Sequence, residues 1–320
     1  MIPISFPFSI PNSYEVTRIV TENDFTPSFS LKHKVYYNLL RPLLPLSLRK
    51  KFQEYVNSGI TYKDGFIDST LVDMIRESGL PGENLYPERN VASVVLTHDV
   101  ETEAGFNFIP TVIECEKKYG FKSSWNIVPY KYPIDEGIIR FIRDAGHEIG
   151  IHGYNHDGKL YYSEKIFNER TPFINKALKE YGAVGFRSPM VHRNLNWLQK
   201  LNIQYDASCF DYDPFQPFPG GSRSIWPFMA GKFIELPYTL PQDHTLFYVL
   251  KEKDITIWKK KTEWIFNNHG VVLVLTHPDY LKESNHIKLY VELLQYLKSL
   301  VNVWHCLPNE LAWHWRSKFE

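Results

Sequence analysis

Two histidines four positions apart, His152 and His156, are the side chains in this sequence with the clearest capacity for chemistry. Both rings can face one point if the segment between them makes a helical turn. A carboxylate pair, Asp99 and Glu101, stands at the end of an apolar run earlier in the chain. Two neutral imidazoles and a carboxylate that leave coordination positions open suit a catalytic Zn²⁺ or a similar divalent ion. The pattern therefore predicts one bound metal ion, with zinc as the first expectation.

Three more polar residues follow short apolar runs. Arg187 suits the role of partner to an internal carboxylate, because its planar guanidinium stays charged and can hold a carboxylate with two hydrogen bonds. His277 could be a core histidine with satisfied hydrogen bonds, but its place at a strand end favours a general acid. Asp206 ends another short run.

From residue 91 onward, short β-branched or apolar runs alternate with helical patterns. The predicted strands are Ala92–Thr97, Ser123–Ile127, Glu148–Ile151, Val184–Phe186, Gln204–Asp206, Phe233–Leu236, Val271–Thr276 and Val301–His305. The predicted helices are Ile109–Tyr119, Asp135–Asp144, Glu164–Tyr181, Leu195–Leu201, Ile255–Asn268, Ile287–Leu300 and Asn309–Lys318. This alternation is typical of parallel βαβ units and predicts a closed or nearly closed β/α barrel.

A doubly wound open sheet is the alternative fold. No glycine-rich phosphate loop follows any predicted strand, which counts against a nucleotide-binding sheet. In a barrel the active site lies at the carboxyl ends of the strands. Of the seven polar residues named above, all except His156 lie at or just after such ends, which favours one shared site.

Two segments fall outside the strand–helix rhythm. Residues 1–90 form a predicted N-terminal extension that packs on the barrel of residues 91–320, and they include the apolar and basic stretch 41–51. That stretch could touch an anionic membrane, but a segment capping the main domain is favoured. The connection of residues 207–232 is long and aromatic, so it either walls one side of a site or merely covers the barrel.

Composition limits the classes of function. Lys plus Arg and Asp plus Glu both number 36, so no basic field for nucleic acid is expected. The three cysteines are widely spaced and predict no disulfide framework. We see neither a signal peptide at the start nor an apolar run long enough for a membrane span, and we therefore expect a cytoplasmic protein. The sequence leaves the oligomeric state open.

The ordered motifs resemble the NodB-type polysaccharide deacetylases, carbohydrate esterase family 4, over about residues 91–305. The motifs are Thr97-His-Asp-Val-Glu101, Gly146-His-Glu-Ile-Gly-Ile-His152-Gly-Tyr-Asn-His156, Arg187-Ser-Pro-Met190, Tyr205-Asp-Ala-Ser208 and Leu275-Thr-His277. The resemblance implies a distorted (β/α)7 barrel of the NodB homology type. It also implies a hydrolase that removes an acyl group, in the first place acetyl, from an N-acylated amino sugar of a glycan or glycan precursor.

The resemblance also implies a role for each motif residue. Asp99 would be the general base, and Glu101, His152 and His156 would hold the metal. Arg187 would orient Asp99, His277 would protonate the leaving amine, and Asp206 would pair with His277. The backbone N–H of Met190 would face the tetrahedral oxyanion. We further expect Trp226 and Phe215 of the aromatic loop to stack on the sugar.

The first motif departs from the family pattern, since Val100 stands where a second aspartate is usual. Alternation along an extended strand places Asp99 and Glu101 on one face and His98 on the other. Glu103 would share the face of Asp99 only if the strand continued, whereas its surroundings indicate a turn. Glu101 is therefore the predicted ligand.

Two other readings of the sequence stay open. One is a catalytically inactive relative that binds a glycan or a partner protein. The other is a metal-dependent hydrolase of another non-peptide C–N bond on the same fold. Met190 replaces the aromatic residue usual in the family at this position, which bears on the substrate more than on the reaction. These departures favour an intracellular precursor of a surface glycan over a secreted polymer as substrate.

Overall fold

The structure is a computed structural model that describes residues 2–21, 57, 59–81, 84–216 and 220–319. The stretch of residues 41–51, which was predicted either to touch an anionic membrane or to cap the main domain, lies outside the described residues. Among the described residues, no helix is both long and apolar enough to cross a membrane. The division near residue 90 into an extension and a barrel stays a prediction.

The strands of the described chain form one sheet. They are β1 (Ile4–Ser5), β2 (Ala92–Val100), β3 (Ser123–Ile127), β4 (Glu148–His152), β5 (Gly185–Arg187), β6 (Tyr205–Asp206), β7 (Phe228–Ala230), β8 (Phe233–Glu235), β9 (Val271–Thr276) and β10 (Val303–His305).

Helices fill most connections between the strands. They are α1 (Ser13–Thr21), α2 (Thr70–Arg76), α3 (Glu103–Phe106), α4 (Ile109–Tyr119), α5 (Glu136–Asp144), α6 (Glu164–Glu180), α7 (Leu195–Leu198), α8 (Thr256–Asn267), α9 (Pro278–Leu281), α10 (Ser284–Ser299) and α11 (Pro308–Arg316). A π-helix spans His244–Leu250, and a one-turn 3-10 helix spans Pro189–Val191.

Parallel pairing runs from β9 through β2, β3, β4, β5 and β6 to β8. Between β8 and β9, the backbone N–H groups of Thr239 and Leu240 donate to the carbonyl of Leu273 at 3.1 and 3.2 Å. These two bonds tie the far ends of the curled sheet together. The carboxyl ends of the parallel strands consequently meet at one rim.

Strand β2 occupies the centre of the fold, and all nine of its residues are buried. Its Val-rich run fits a strand covered on both faces, as parallel sheets require. It extends three residues beyond the predicted end, so His98, Asp99 and Val100 belong to the strand itself. The alternation of side chains along β2 therefore applies to Asp99 without correction.

Two strands were not predicted. Strand β7 lies inside the aromatic connection and forms an antiparallel pair with β8, and β1 adds antiparallel to β7. Both strands are at most three residues long, too short to show a period in the sequence. The N-terminal residues thus contribute a strand to the edge of the sheet.

Candidate active site

Asp99 lies near the carboxyl end of β2, where the neighbouring strand supplies its first partner. The parallel register sets Asp99 opposite Asn126 and Asn126 opposite Gly150. A Cβ on Gly150 would lie 2.1 Å from the Asn126 Oδ1, so only glycine leaves room for this amide. Asn126 Nδ2 donates to Asp99 Oδ1 at 2.9 Å.

Arg187 at the end of β5 is the second partner of Asp99. Its Nη1 donates to Asp99 Oδ1 at 3.0 Å and to Thr97 Oγ1 at 2.9 Å, while Nε donates to the Ala207 carbonyl at 2.7 Å. Burial alone would raise the pKa of Asp99, but His152, when it is protonated, and the permanent charge of Arg187 outweigh it and lower that pKa. Asp99 is therefore ionised, with Oδ1 occupied.

His152 ends β4, and its two ring nitrogens have different surroundings. Nδ1 lies 3.1 Å from the carbonyl oxygen of Arg187, which can only accept, so Nδ1 carries a proton. In the neutral ring Nε2 then keeps its lone pair, and this buried atom has no hydrogen-bond partner among the described residues. Nε2 lies 3.8 Å from Asp99 Oδ2 and 3.8 Å from Glu101 Oε1.

Glu101 and His156 complete a group of three potential ligands with His152. His156 Nε2 lies 2.8 Å from Glu101 Oε1, and one ligand atom from each residue falls within 4.8 Å of the others. Burial would raise the pKa of Glu101, but His156 holds that pKa well below its usual range. An ionised carboxylate and two imidazoles thus face one space.

The two histidines do not meet through the helical turn that their spacing suggested. Residues 154–158 form a bend, with φ of 67° at the preceding Gly153 and 57° at His156. A Cβ on Gly153 would lie 2.4 Å from the ring of Pro189, so glycine lets this bend pack against the loop after Arg187. Left-handed backbone at His156 is an uncommon conformation, of the kind found at binding sites.

This group fits a divalent metal ion by its chemistry. A partnerless buried Nε2 is costly unless something binds it. The Nδ1 bond to a backbone carbonyl is the contact that metal-binding histidines use to fix ring orientation. Two nitrogens and one carboxylate match the donor set of catalytic zinc sites. The described residues therefore could hold one metal ion, and the donors alone do not select zinc.

His277 follows β9, and its carboxylate partner differs from the predicted one. Asp243 Oδ1 lies 2.7 Å from His277 Nδ1, and Asp243 Oδ2 accepts from the His277 backbone N–H at 2.6 Å. Burial would lower the pKa of His277, but Asp243 raises it to about 10. The prediction that Asp206 pairs with His277 is wrong, because both oxygens of Asp206 accept from Ser208 instead.

Asp206 acts on the loop after Arg187. Its Oδ1 accepts from the Ser208 hydroxyl at 2.7 Å, and Ser208 Oγ in turn accepts from the Ser188 backbone N–H at 2.9 Å. Two residues further, Met190 has a left-handed backbone with φ of 59° in the 3-10 turn. Asp206 thus fixes the start of the loop that carries the Met190 N–H.

The two aromatic residues expected to stack on sugar have different environments. Trp226 is fully buried, packs against Phe8 and donates from Nε1 to the His269 carbonyl at 2.9 Å. The proposed sugar-stacking role of Trp226 is therefore wrong, because its ring has no face toward solvent. Phe215 is partly exposed and lines a cavity. Only part of the aromatic connection thus borders open space.

His98 faces away from the site, as the alternation along β2 predicts. Its Nε2 lies 2.7 Å from Glu116 Oε1 on α4, its Nδ1 lies 2.8 Å from Thr276 Oγ1, and its ring stacks on Trp125. These contacts belong to the layer between sheet and helices. His98 is consequently remote from the group formed by Glu101, His152 and His156.

Two site residues were missed from the sequence. Asn126 is a polar residue inside an otherwise strand-like run, and that interruption was the available signal. Asp243 precedes the π-helix in a proline-containing segment that gives no periodicity. Its contact with His277 depends on how this segment folds back, which no local pattern reports.

Comparison with known proteins gives several matches, although no family model matches the chain. A peptidoglycan deacetylase of Helicobacter pylori is 21% identical over 245 residues, covering 65% of this chain and 84% of that protein. A structure from Mycobacterium smegmatis assigned as a polysaccharide deacetylase has a TM-score of 0.60 at 17% identity, covering 73% of this chain and 93% of that one. One from Pseudomonas aeruginosa PAO1 with the same assignment has a TM-score of 0.60 at 16% identity, covering 74% and 95%.

These matches confirm the resemblance to NodB-type polysaccharide deacetylases and the predicted barrel fold. A further structure, the PuuE allantoinase, has a TM-score of 0.59 at 15% identity, covering 75% of this chain and 95% of that one. The same fold thus occurs in proteins named for different reactions. This fold therefore does not by itself determine the substrate.

Proposed function

We propose that the protein is a metal-dependent hydrolase that removes an acyl group, in the first place acetyl, from an N-acylated amino sugar of a glycan or glycan precursor. The observation that carries the proposal is the partnerless Nε2 of His152, which lies within 3.8 Å of both Glu101 and the ionised Asp99. The similar proteins named as deacetylases support the reaction class.

Asp99 is proposed as the general base. Arg187 and Asn126 both bind its Oδ1, which leaves Oδ2 directed toward His152 and available to take a proton from the attacking water. A divalent ion held by Glu101, His152 and His156 would supply Lewis-acid polarisation to the water and the amide carbonyl. The Met190 backbone N–H is the proposed donor to the oxyanion.

His277 is proposed as the general acid. Asp243 binds its Nδ1, so the Nε2 proton is the one that the leaving amine can receive. With its pKa raised to about 10, His277 is an imidazolium at neutral pH, as an acid requires. An amine leaves readily only when protonated, which gives this residue its place in the reaction.

A hydrolase of another C–N bond is the second candidate. The observation in its favour is the fold shared with an allantoinase at nearly the same TM-score as the deacetylases. Zinc as the ion and the cytoplasm as location stay proposals.

The experiment combines metal analysis with product detection. The purified protein is analysed for bound metal, and acetate release is measured on N-acetylated hexosamines, their oligomers and sugar-nucleotide precursors. Allantoin serves as the alternative substrate. Acetate release that a chelator abolishes and added metal restores supports the proposal. Turnover of allantoin alone supports the second candidate. A metal-loaded protein that turns over neither would contradict both.

A further inference from the structure

The connection between β3 and α5, residues 128–135, contacts the backbone beside the proposed metal ligands without supplying a ligand itself. Tyr132 in this connection donates its hydroxyl to the Val100 carbonyl at 2.6 Å, and the same hydroxyl accepts from the Val128 backbone N–H at 3.2 Å. Val100 is the last residue of β2 and directly precedes Glu101. One side chain thus holds the backbone from which the proposed carboxylate ligand extends.

The Tyr132 hydroxyl takes the place of a direct bond between two strands. Val100 lies opposite Ile127, the last residue of β3, in the parallel register. In a parallel pair the carbonyl of one residue can accept from the N–H one position beyond its partner, which here is that of Val128. The hydroxyl instead joins this N–H to the Val100 carbonyl. The two strands are therefore bridged by a side chain, and not paired directly, where they reach the rim.

The ring of Tyr132 also contacts the chain that follows Glu101. It packs against Phe106, with ring centroids 5.6 Å apart, and Phe106 is fully buried on α3. That helix begins two residues after Glu101, where Thr102 Oγ1 accepts from the Gly105 backbone N–H at 3.0 Å. Glu101 is therefore held between a bonded carbonyl before it and a packed helix after it.

The same connection contacts the bend that carries His156. The Tyr130 backbone N–H donates to the Tyr154 carbonyl at 3.3 Å, and the centroids of the two rings are 4.9 Å apart. Tyr154 lies in the same bend as His156, two residues after His152. Tyr130 and Tyr132 thus connect the carboxylate ligand and the histidine ligands to one short segment.

This link matters because of where Glu101 lies. Val100 stands where a second aspartate is usual, so the predicted ligand comes one residue later, beyond the end of β2. The strand no longer fixes the backbone there, and 22% of the Glu101 side chain is exposed. Ligands bind a metal tightly when the groups around them fix their orientation. A ligand beyond the strand therefore needs a constraint from another part of the chain.

We propose that Tyr132 is a positioning residue of the metal site, which acts through the Val100 carbonyl on the direction of Glu101. The proposal rests on the proposed function in one respect, since it takes Glu101, His152 and His156 as the metal ligands. Two backbone groups occupy the Tyr132 hydroxyl, so the hydroxyl is not offered to the ion. Its loss weakens metal binding without removing a donor.

The test measures the affinity of the metal-free protein for Zn²⁺ alone, by competition with a chromophoric chelator. Tyr132→Phe keeps the ring against Phe106 and removes only the hydroxyl, so the variant should fold. We expect it to weaken Zn²⁺ binding by about tenfold, the lower end of the cost of losing an outer partner of a ligand. Unchanged affinity would overturn the proposal.

Tyr86→Phe is the matched control. Tyr86 is buried, and its hydroxyl also donates to a backbone carbonyl, that of His269 at 2.8 Å. His269 precedes β9, so this contact lies at the end of the sheet opposite the rim. We expect Tyr86→Phe to keep the wild-type Zn²⁺ affinity, even if urea unfolding shows that both metal-free variants lose stability. An equal loss of affinity in the two variants would overturn the proposal.

A double variant tests the route through Glu101. If Tyr132 acts on this ligand, Tyr132→Phe should have little effect on the Zn²⁺ affinity of the Glu101→Ala protein, so the two changes are not additive. Full additivity would overturn the proposed route. A wild-type protein that binds none of Zn²⁺, Co²⁺ and Mn²⁺ would overturn the metal site and the proposed function together. Wild-type binding that Tyr132→Phe leaves unchanged would overturn this inference alone.

Discussion

Asp243 contacts His277 through both carboxylate oxygens. One oxygen lies 2.7 Å from the ring Nδ1, and the other lies 2.6 Å from the backbone nitrogen. The first contact stabilises the imidazolium, and the second fixes the position of the backbone that carries the ring. Both are buried. A single side chain from an irregular segment therefore sets both the protonation and the position of the proposed acid.

Asp243→Asn should lower kcat by at least about tenfold and leave metal content unchanged. The amide keeps an acceptor for His277 but removes the negative charge that favours the imidazolium, and a positioned acid contributes about 10²–10⁴-fold. Steady-state kinetics and metal analysis on the same preparation test this. The matched control is Asp144→Asn, an exposed carboxylate at the end of α5. Equal kcat in both variants would remove Asp243 from the mechanism.

Asp99→Asn should reduce turnover by at least about 10²-fold while the metal stays bound. The change keeps an acceptor for Arg187 and Asn126 but deletes the basic oxygen. Acetate release and metal stoichiometry are measured together. Retention of full activity would show that another group takes the proton, and loss of the metal would show that Asp99 is a ligand.

Glu101→Ala should weaken metal binding by more than about tenfold, since loss of even an outer partner of a ligand costs about 10–100-fold in affinity. His98→Gln is the companion variant, because His98 points to α4 and not to the ligand group. Metal retained after dialysis against a weak chelator is the measurement. A His98→Gln protein that loses metal, beside a Glu101→Ala protein that keeps it, would reverse the assignment.

Ser208→Ala should lower kcat more than it changes KM. The hydroxyl links Asp206 to the Ser188 N–H, so its loss frees the loop that leads to Met190. We expect about a tenfold effect, below the 10²–10³-fold cost of deleting an oxyanion donor outright. Ser299→Ala, at an exposed helix end, is the control. A change confined to thermal stability would make the link merely structural.

The contribution of Glu148 to the free energy of unfolding should fall as pH rises from about 4.5 to about 7. Burial raises its pKa from 4.5 to about 7, so the folded state holds a proton that the unfolded state releases in that range. That contribution should drop by about 2 to 3 kcal/mol across this range. Urea unfolding of wild type and Glu148→Gln at pH 5 and pH 7.5 is the measurement.

In Glu148→Gln this pH-dependent contribution to the free energy of unfolding should vanish. Asp211 and Asp213, whose pKa values are raised by burial to about 6, contribute with the same sign in both proteins. His305, whose pKa is lowered by burial to about 4, contributes with the opposite sign in both. The difference between the two proteins therefore isolates Glu148. Identical pH dependence in both would show that Glu148 is ionised throughout.

The arrangement of Asp99, Glu101 and His98 could be predicted from the sequence because strand geometry alone determines it. Side chains alternate every residue, so one apolar run fixes which neighbours share a face. The parallel strands and the rim where their polar residues meet follow from the same kind of periodic pattern. These are properties of regular elements, which local sequence reports well.

The partner of His277 and the role of Trp226 could not be predicted, because both depend on irregular chain. Asp243 reaches His277 only after residues 236–243 have folded back against β9, and no repeat in the sequence encodes that path. Trp226 looks like a sugar-stacking residue by composition, yet large rings also fill cores. Packing against residues that are distant in the sequence decides which of these two roles a ring takes.

Strand β1 lies near the start of the sequence, and it pairs with β7, which comes much later in the sequence. During synthesis, Ile4 and Ser5 leave the ribosome long before Met229 and Ala230 exist, so this strand must wait for the β7–β8 hairpin before it can dock. Such distant pairing slows folding. Until it forms, the edge of β7 is open to strands from other chains. A purification tag fused just ahead of β1 would compete for that edge, whereas a tag after α11 would leave it undisturbed.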